Sequence, residues 1–367
     1  MAKKRRKDER SDGGPSGLDR VFAVLDAAPA GLHDVTPPAE QLPSGLPEPL
    51  IDLYARCDGL RLYLDSVELR PSAEVEPADP RSGIAGDEGP DGAAGGAGAL
   101  PRGIAGDEDP DGAAGGAGVL PRGIDHWVFG ELEGEDLLID VRGRIWRRDE
   151  SLDDLVCEGA RLDRWLAGIV DALGVLYDAD GEFAEGVFDD DGELVPAVGE
   201  HQLRAMLKRD PAAPGPRWRL AHAVLAQDRV DEARAALEEV VAAEPGFAWA
   251  WLDLARISER LGELPGAVDE ARAAADAAAG HPQAGYFHAQ LARLAGRAGD
   301  EATRAAAARR AAELSPDLKA AQLEGARSSL AEGDLASARG LLDLLRAVWP
   351  RDLAVLDLAR QIEAAGN

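Results

Sequence analysis

The sequence predicts an α+β domain with a mostly antiparallel sheet followed by an all-α solenoid, and three observations carry that expectation. Prolines stand at Pro211, Pro245, Pro282, Pro316 and Pro350, spaced 34, 37, 34 and 34 residues apart. Turn residues Asp228, Gly262, Gly299 and Gly333 lie midway between them, with the same period and the same three-residue insertion. Upstream of about residue 200 this regularity gives way to short apolar runs broken by Arg-Gly and Asp-Gly pairs, the pattern of strands and hairpins.

Residues 1–16 hold six basic and three acidic side chains and are expected to form a disordered basic tail. Two helices follow, over residues 18–27 and 47–57, each with apolar positions three to four apart. Residues 127–129 read as a strand, and residues 137–141 and 144–147 as two more joined by a two-residue Arg142-Gly143 turn. Residues 162–173 return to helical spacing, with Trp165, Ile169 and Leu173 on one stripe. Asp180-Gly181 and Asp191-Gly192 then mark two further turns. An insert interrupts this domain: residues 83–102 and 103–122 are near-identical copies that differ only at Gly89 against Asp109 and Ala99 against Val119. A Gly/Ala/Asp/Pro segment this poor in apolar bulk cannot offset its ordering entropy, so a disordered loop is expected.

The ordered stretches of residues 17–199 resemble the SUKH superfamily, known for bacterial immunity proteins and a fungal cell-wall regulator. The resemblance rests on LPEPLIDLY at residues 46–54 ending in Asp58-Gly59, on Val128-Phe129-Gly130 with DLLID at 136–140, and on LDRWL at 162–166. It implies a protein-binding module, and in its immunity form one that neutralises a toxin.

The repeat of residues 200–367 resembles the tetratricopeptide repeat (TPR), a helical hairpin whose small residues let neighbouring helices approach closely and which stacks into a superhelix. Leu220, Ala221, Ala233 and Leu237 fall on the family's contact positions in the first full unit. Trp251, Leu254, Ala255 and Ala267 do so in the second, Leu291, Ala292 and Ala308 in the third, and Ala326, Ala338 and Leu342 in the fourth. Arg304 and Gly325 depart from the pattern. Residues 200–209 are expected to be the second helix of a truncated unit and residues 352–363 a closing helix, which caps four full units at both ends. The three-residue insertion is expected to lengthen the second unit's second helix, over residues 271–279. The repeat region is expected to contain every contact it needs to fold alone.

Charge divides the chain sharply. Residues 17–200 hold 13 basic and 41 acidic side chains, a net of −28, whereas residues 201–367 hold 21 and 24. An acidic first module excludes a polyanion as its partner, so no nucleic acid is expected. The longest apolar runs fall far short of a membrane span and the amino terminus is not a secretory signal, so no membrane contact and a cytoplasmic location are expected. Cys57 and Cys157 stand in no metal-ligand spacing and are expected to be buried. The six histidines form no catalytic or metal constellation, so neither enzyme activity nor a cofactor is expected. Asp107-x-Asp109-x-Asp111-Gly112 opens like a calcium loop, but its twelfth position is Gly118 where a bidentate Glu is needed. Asp178-x-Asp180-Gly181 and Asp189–Gly192 are hairpin turns by composition.

The resemblance to the TPR family implies a concave peptide-binding groove lined by the first helix of each unit. Its positions here carry Trp218 and His222 in the first unit, Trp249, Arg256 and Arg260 in the second, Tyr286, Arg293 and Arg297 in the third, and Arg327 in the fourth. The family's Lys-and-Asn clamp for a carboxy-terminal carboxylate is absent. Arg256, Arg293 and Arg327 share one frame position, a ladder suited to the carboxylates of an extended acidic peptide. Glu259 partly neutralises it. The chain thus reads as a non-enzymatic adaptor binding another protein or peptide, with an immunity-type protein as the alternative. An intramolecular contact between the acidic insert and the arginine ladder is also expected. Deleting residues 83–122 should leave the thermal midpoint within a few degrees, because halving or doubling a surface loop changes closure entropy by only about 0.6 kcal/mol; differential scanning fluorimetry reads it, and a collapsed midpoint would contradict the loop reading.

Overall fold

The computed structural model describes residues 17–78 and 126–366. The basic tail, the duplicated insert and the expected contact of that insert with the arginine ladder lie outside the described residues.

The first module is one antiparallel sheet backed by helices. Helix α1 (Gly17–Ala27) and helix α2 (Glu48–Tyr54) precede or interleave with strands β1 (His33–Val35), β2 (Leu60–Leu62), β3 (Val67–Leu69) and β4 (Glu76–Pro77). Strands β5 (His126–Leu132), β6 (Glu135–Asp140), β7 (Ile145–Asp149) and β8 (Asp154–Gly159) follow, then α3 (Leu162–Leu173). Spatial order is β1-β2-β3-β5-β6-β7-β8, with β4 pairing alongside β5, and every pairing is antiparallel. Strand alternation sends Phe129, Leu137, Ile139 and Ile145 into one core with Leu50, Leu53 and Trp165 of the helices. Val128, Leu138, Trp146, Leu155 and Cys157 form a smaller cluster on the opposite face. The stretches carrying the SUKH resemblance fall on α2, β5, β6 and α3. Both cysteines are buried and free.

The β6–β7 hairpin forms at the expected Arg142-Gly143 turn because the buried Asp140 carboxylate organises it. Asp140 accepts from the backbone N–H of Arg142 (2.8 Å) and Arg144 (3.0 Å), from the Arg144 guanidinium (2.9 Å) and from the Trp146 indole (3.4 Å). The two later turns repeat one device: Asp178 Oδ1 accepts from the N–H of Asp180 and Glu182, and Asp189 Oδ1 from those of Asp191 and Glu193.

Helices α4 (Pro196–Arg209), α5 (Pro214–Ala226), α6 (Val230–Ala243), α7 (Ala248–Arg260), α8 (Leu264–Ala277), α9 (Ala284–Ala298), α10 (Glu301–Leu314), α11 (Leu318–Glu332), α12 (Leu335–Val348) and α13 (Leu353–Ala365) build the solenoid. The pairs α5/α6, α7/α8, α9/α10 and α11/α12 are the four expected units. Within each pair the turn residue takes a left-handed φ: Asp228 (63°), Gly262 (79°), Gly299 (78°) and Gly333 (87°). Arg304, an apparent departure, runs beside Gly296 and donates to the Ala347 carbonyl at 2.8 Å, tying the third unit to the end of α12.

Three expectations change. Helix α8 has 14 residues, the same as α6, α10 and α12, so the insertion does not lengthen it. The extra residues fall in the loop before α9, which turns at Gly280 (φ 91°) and carries His281. Helix α4, expected as a second helix over residues 200–209, begins earlier at Pro196 and packs along α3 of the sheet module as well as on α5. Against α3, Gly168 lets the two helices approach closely, a Cβ at that position lying only 3.2 Å from the Met206 backbone, and Asp171 binds Arg209 of α4 at 2.5 Å. The repeat region also does not hold all its own contacts. Residue 199/200 falls inside α4, Met206 belongs to the sheet module's core, and Leu152 and Val156 of the sheet module share a core with Leu203, Trp218 and Leu237.

The junction is sealed by a fully buried carboxylate. Glu158 on β8 accepts a two-pronged contact from Arg219 of α5 at 2.5 and 2.6 Å and a third bond from Arg147 of β7 at 3.1 Å. Arg147 also binds Asp149 at 3.1 Å and pairs with Glu135. Burial alone would push the Glu158 carboxyl up, but Arg219 and then Arg147 overcome it and hold it at about 2. A depressed carboxyl stabilises the fold above its unfolded value of 4.5, and that contribution is lost as pH falls from 4.5 to about 2. Arg219→Ala should therefore cost about 3–5 kcal/mol by leaving a buried charge unpaired. Urea unfolding at pH 7 measures it, and Glu158→Gln should flatten the acid limb between pH 4.5 and 2.

Candidate functional site

The groove positions divide into a covered end and an open end. At the second and fifth frame positions of the first unit stand Gly215 and Trp218, and both face β8. A Cβ on Gly215 would sit 3.0 Å from the Cys157 carbonyl and 3.0 Å from Val156. Trp218 is buried in the core it shares with Leu152 and Val156. The chain's own sheet thus fills the first unit, and Trp218 and His222 offer no open surface. The sheet's hairpins also touch the loops that precede later groove helices. Arg144 binds Glu244 before α7 at 3.0 Å, and Asp154 lies 3.6 Å from Nε2 of His281 before α9. Burial pushes the Asp154 carboxyl up to about 7 and the His281 imidazole down to about 4, so the imidazole is neutral at pH 7 and the contact is not a full ion pair.

From the first unit a chain of hydrogen bonds runs along the groove. The Trp218 indole donates to Oδ2 of Asp253 at 2.7 Å, and Nε2 of His222 meets the same oxygen at 2.7 Å. Arg256 donates to Asp253 Oδ1 at 3.2 Å and to the Tyr286 hydroxyl at 3.3 Å. Gln290 donates to that hydroxyl at 2.8 Å and accepts from Arg293 at 2.9 Å. Arg293 grips Glu259 with both prongs at 2.6 and 2.8 Å, and Arg297 pairs with the same carboxylate. Burial would push Asp253 and Glu259 up; His222 and Arg256 draw the first down, and Arg293 and Arg297 the second, so both stay ionised. Trp249 stands beside this chain with Tyr286 and Phe287, ring centroids 6.0 and 4.8 Å away.

The expected ladder of three equivalent guanidiniums is therefore uneven. Arg256 and Arg293 are held by internal carboxylates, whereas Arg327 is exposed and has no ion-pair partner among the described residues. Arg260, 51% exposed, pairs with Asp228, and Arg297 is 54% exposed despite its bond to Glu259. Sequence reasoning missed Asp253 and Gln290, the two buried links of the chain. A signal was present: Arg219, Asp253, Gln290 and Glu324 repeat at one frame position, 34, 37 and 34 residues apart, each inside an apolar helix.

Asp253 joins three groove side chains, so its removal should be felt at all of them. Asp253→Ala should cost about 1–3 kcal/mol, since it leaves the buried Trp218 indole without an acceptor and takes the carboxylate from His222. Thermal unfolding checks the loss, and a red shift of the indole fluorescence checks the loosened Trp218.

Residues 200–246 and 224–291 match the family model described as tetratricopeptide repeat. Comparison with curated proteins gives no match. Among solved structures the chain is similar to PilF of Pseudomonas aeruginosa, at 15% identity over 47% of this chain and 77% of that one, with a TM-score of 0.33. It is similar to MamA from Desulfovibrio magneticus RS-1 at 16% identity over 45% and 86%, with a TM-score of 0.30. It is also similar to YrrB, described as a TPR protein with an unusual peptide-binding site, at 13% identity over 45% and 84%, with a TM-score of 0.31. The family match thus runs from within α4 to within α9.

Proposed function

We propose that the chain is a non-enzymatic, two-module adaptor that holds an extended anionic segment of another protein in the open part of its groove, along the second to fourth units. The observation that carries this reading is the set of exposed guanidiniums on successive groove helices, Arg260, Arg297 and Arg327, on a surface where five arginines meet three carboxylates. Arg256 and Arg293 contribute positive potential and a rigid floor, while Trp249 and Tyr286 supply apolar area beside them. Because Asp253 and Glu259 already hold the inner arginines, a ligand carboxylate does not have to immobilise them, which lowers the entropic cost of binding. The SUKH-like sheet module is the second binding module of this adaptor.

The test is fluorescence anisotropy of the full chain with a labelled Glu-rich dodecapeptide and its Gln-for-Glu counterpart. The acidic probe should bind more tightly than the neutral one and weaken as salt rises. Arg297→Ala with Arg327→Ala should reduce its affinity roughly tenfold, the sum of two partly exposed charge contacts. Equal binding of the two probes, or an unchanged affinity in the double variant, would sink the reading.

A further inference from the structure

The sheet module carries a surface on its far side that the groove reading does not use. A cleft of about 470 Å³ opens between α1, β1 and the turn after α3. Its lining is mostly apolar and includes Ala23, Val24, Ala27, Leu32 and Tyr177. Asp19 and Asp178 also line it. A second depression of about 350 Å³ shares Leu32 and His33 with the first and is bordered by Asp34, Leu64 and Asp65. Leu64 is 63% exposed and Val35 of the neighbouring edge strand is exposed as well.

Leu64 does not stand out by accident of a loose loop. Tyr63, Leu64 and Asp65 follow one another at φ 53°, 55° and 70°, a left-handed run that side-chain-bearing residues avoid. Tyr63 fixes the run in place. Its hydroxyl donates to the Val170 carbonyl at 2.7 Å, its N–H donates to Nδ1 of His33 at 3.2 Å, and its ring stacks on Tyr177. Asparagine or glycine would satisfy the same turn at lower cost. The chain instead places a large aliphatic side chain in solvent at a strained position, beside an apolar cleft. Strain held at an exposed apolar residue is the signature of a site kept for contact and not for stability.

The charge around this face selects the occupant. The nearby cations are already engaged, Arg20 with Asp171 at 2.7 Å, Arg61 with Glu68 at 3.3 Å and Arg56 with Asp19 of the cleft. Asp34 and Asp65 are exposed and have no cation partner among the described residues. Residues 17–200 as a whole carry a net charge of −28. A second copy of the chain would bring acid against acid. A cationic segment gains from the field and can seat an apolar side chain in the cleft. We infer that the face formed by Leu64 and the α1–β1 cleft docks a cationic segment of another protein, which inserts an apolar anchor beside Leu64.

The probe is a fluorescein-labelled dodecapeptide of alternating Lys and Leu, compared with an alternating Lys and Gly peptide of equal charge, on the full chain at low and high salt. The Lys–Leu probe should bind the more tightly of the two. Leu64→Asn should weaken its binding about tenfold, the scale of one buried leucine side chain, while raising the thermal midpoint because Asn accepts the left-handed turn. Ala27→Gln should weaken it likewise without unfolding the exposed face of α1. The groove double variant should leave it unchanged, which separates this surface from the anionic-peptide site. Equal binding of the two probes, or an unaltered affinity in Leu64→Asn, overturns the inference. Tighter binding after deletion of residues 1–16 would make the chain's own basic tail the occupant. A probe-free dimer that sedimentation shows to be lost in Leu64→Asn would make it a second copy. Either result overturns docking of an outside partner.

Discussion

Glu158 is the constraint on which the arrangement depends. A carboxylate with no access to water is tolerable only when cations saturate it, and here one comes from the strand beside it and one from the first groove helix. That requirement fixes β8 against α5 to within hydrogen-bonding distance. It also covers the sheet's open edge, since β8 is the terminal strand and would otherwise present unpaired backbone groups to another chain. Sheet and solenoid are thereby one body at their junction, with α3 and α4 as the shared helical pair.

The same contact decides what the groove can be. With β8 lying against Gly215 and Leu152 buried beside Trp218, the first unit contributes structure and not binding surface. The hydrogen-bonded chain from Asp253 to Glu259 carries that order outward between α7 and α9, until it ends at the exposed Arg297. Each arginine along it is partly spent on an internal carboxylate, so the groove presents aimed donors instead of freely moving cations.

Much of the solenoid was legible because its period is enforced by backbone geometry. Pro211 to Pro350 and the left-handed turns at Asp228, Gly262, Gly299 and Gly333 leave a residue-level mark at every repeat. The β6–β7 hairpin was legible for the same reason, through Gly143. Strands β1 to β3 were not, since three residues each carry no measurable alternation. The partner of α4 was illegible because α3 lies across a 22-residue connection that shows no repeat period. The groove residue types were correctly placed, but their availability was not. Whether Trp218 faces solvent or a strand depends on a docking contact that no local pattern encodes. Asp253 and Gln290 left a periodic trace that becomes readable only once buried polar positions are sought in the repeat frame.

A stacked-repeat superhelix ordinarily behaves as a spring, each unit free to tilt slightly on its neighbour. Here one end of the spring is clamped. Shared cores, the Glu158 bridge and the hairpin contact reaching Glu244 tie the first units to the sheet. Bending compliance therefore rises toward α13, and a bound segment would meet a fixed curvature at one end and an adjustable one at the other. The three residues that break the repeat period mark in this light the outermost point at which the sheet touches the solenoid loops.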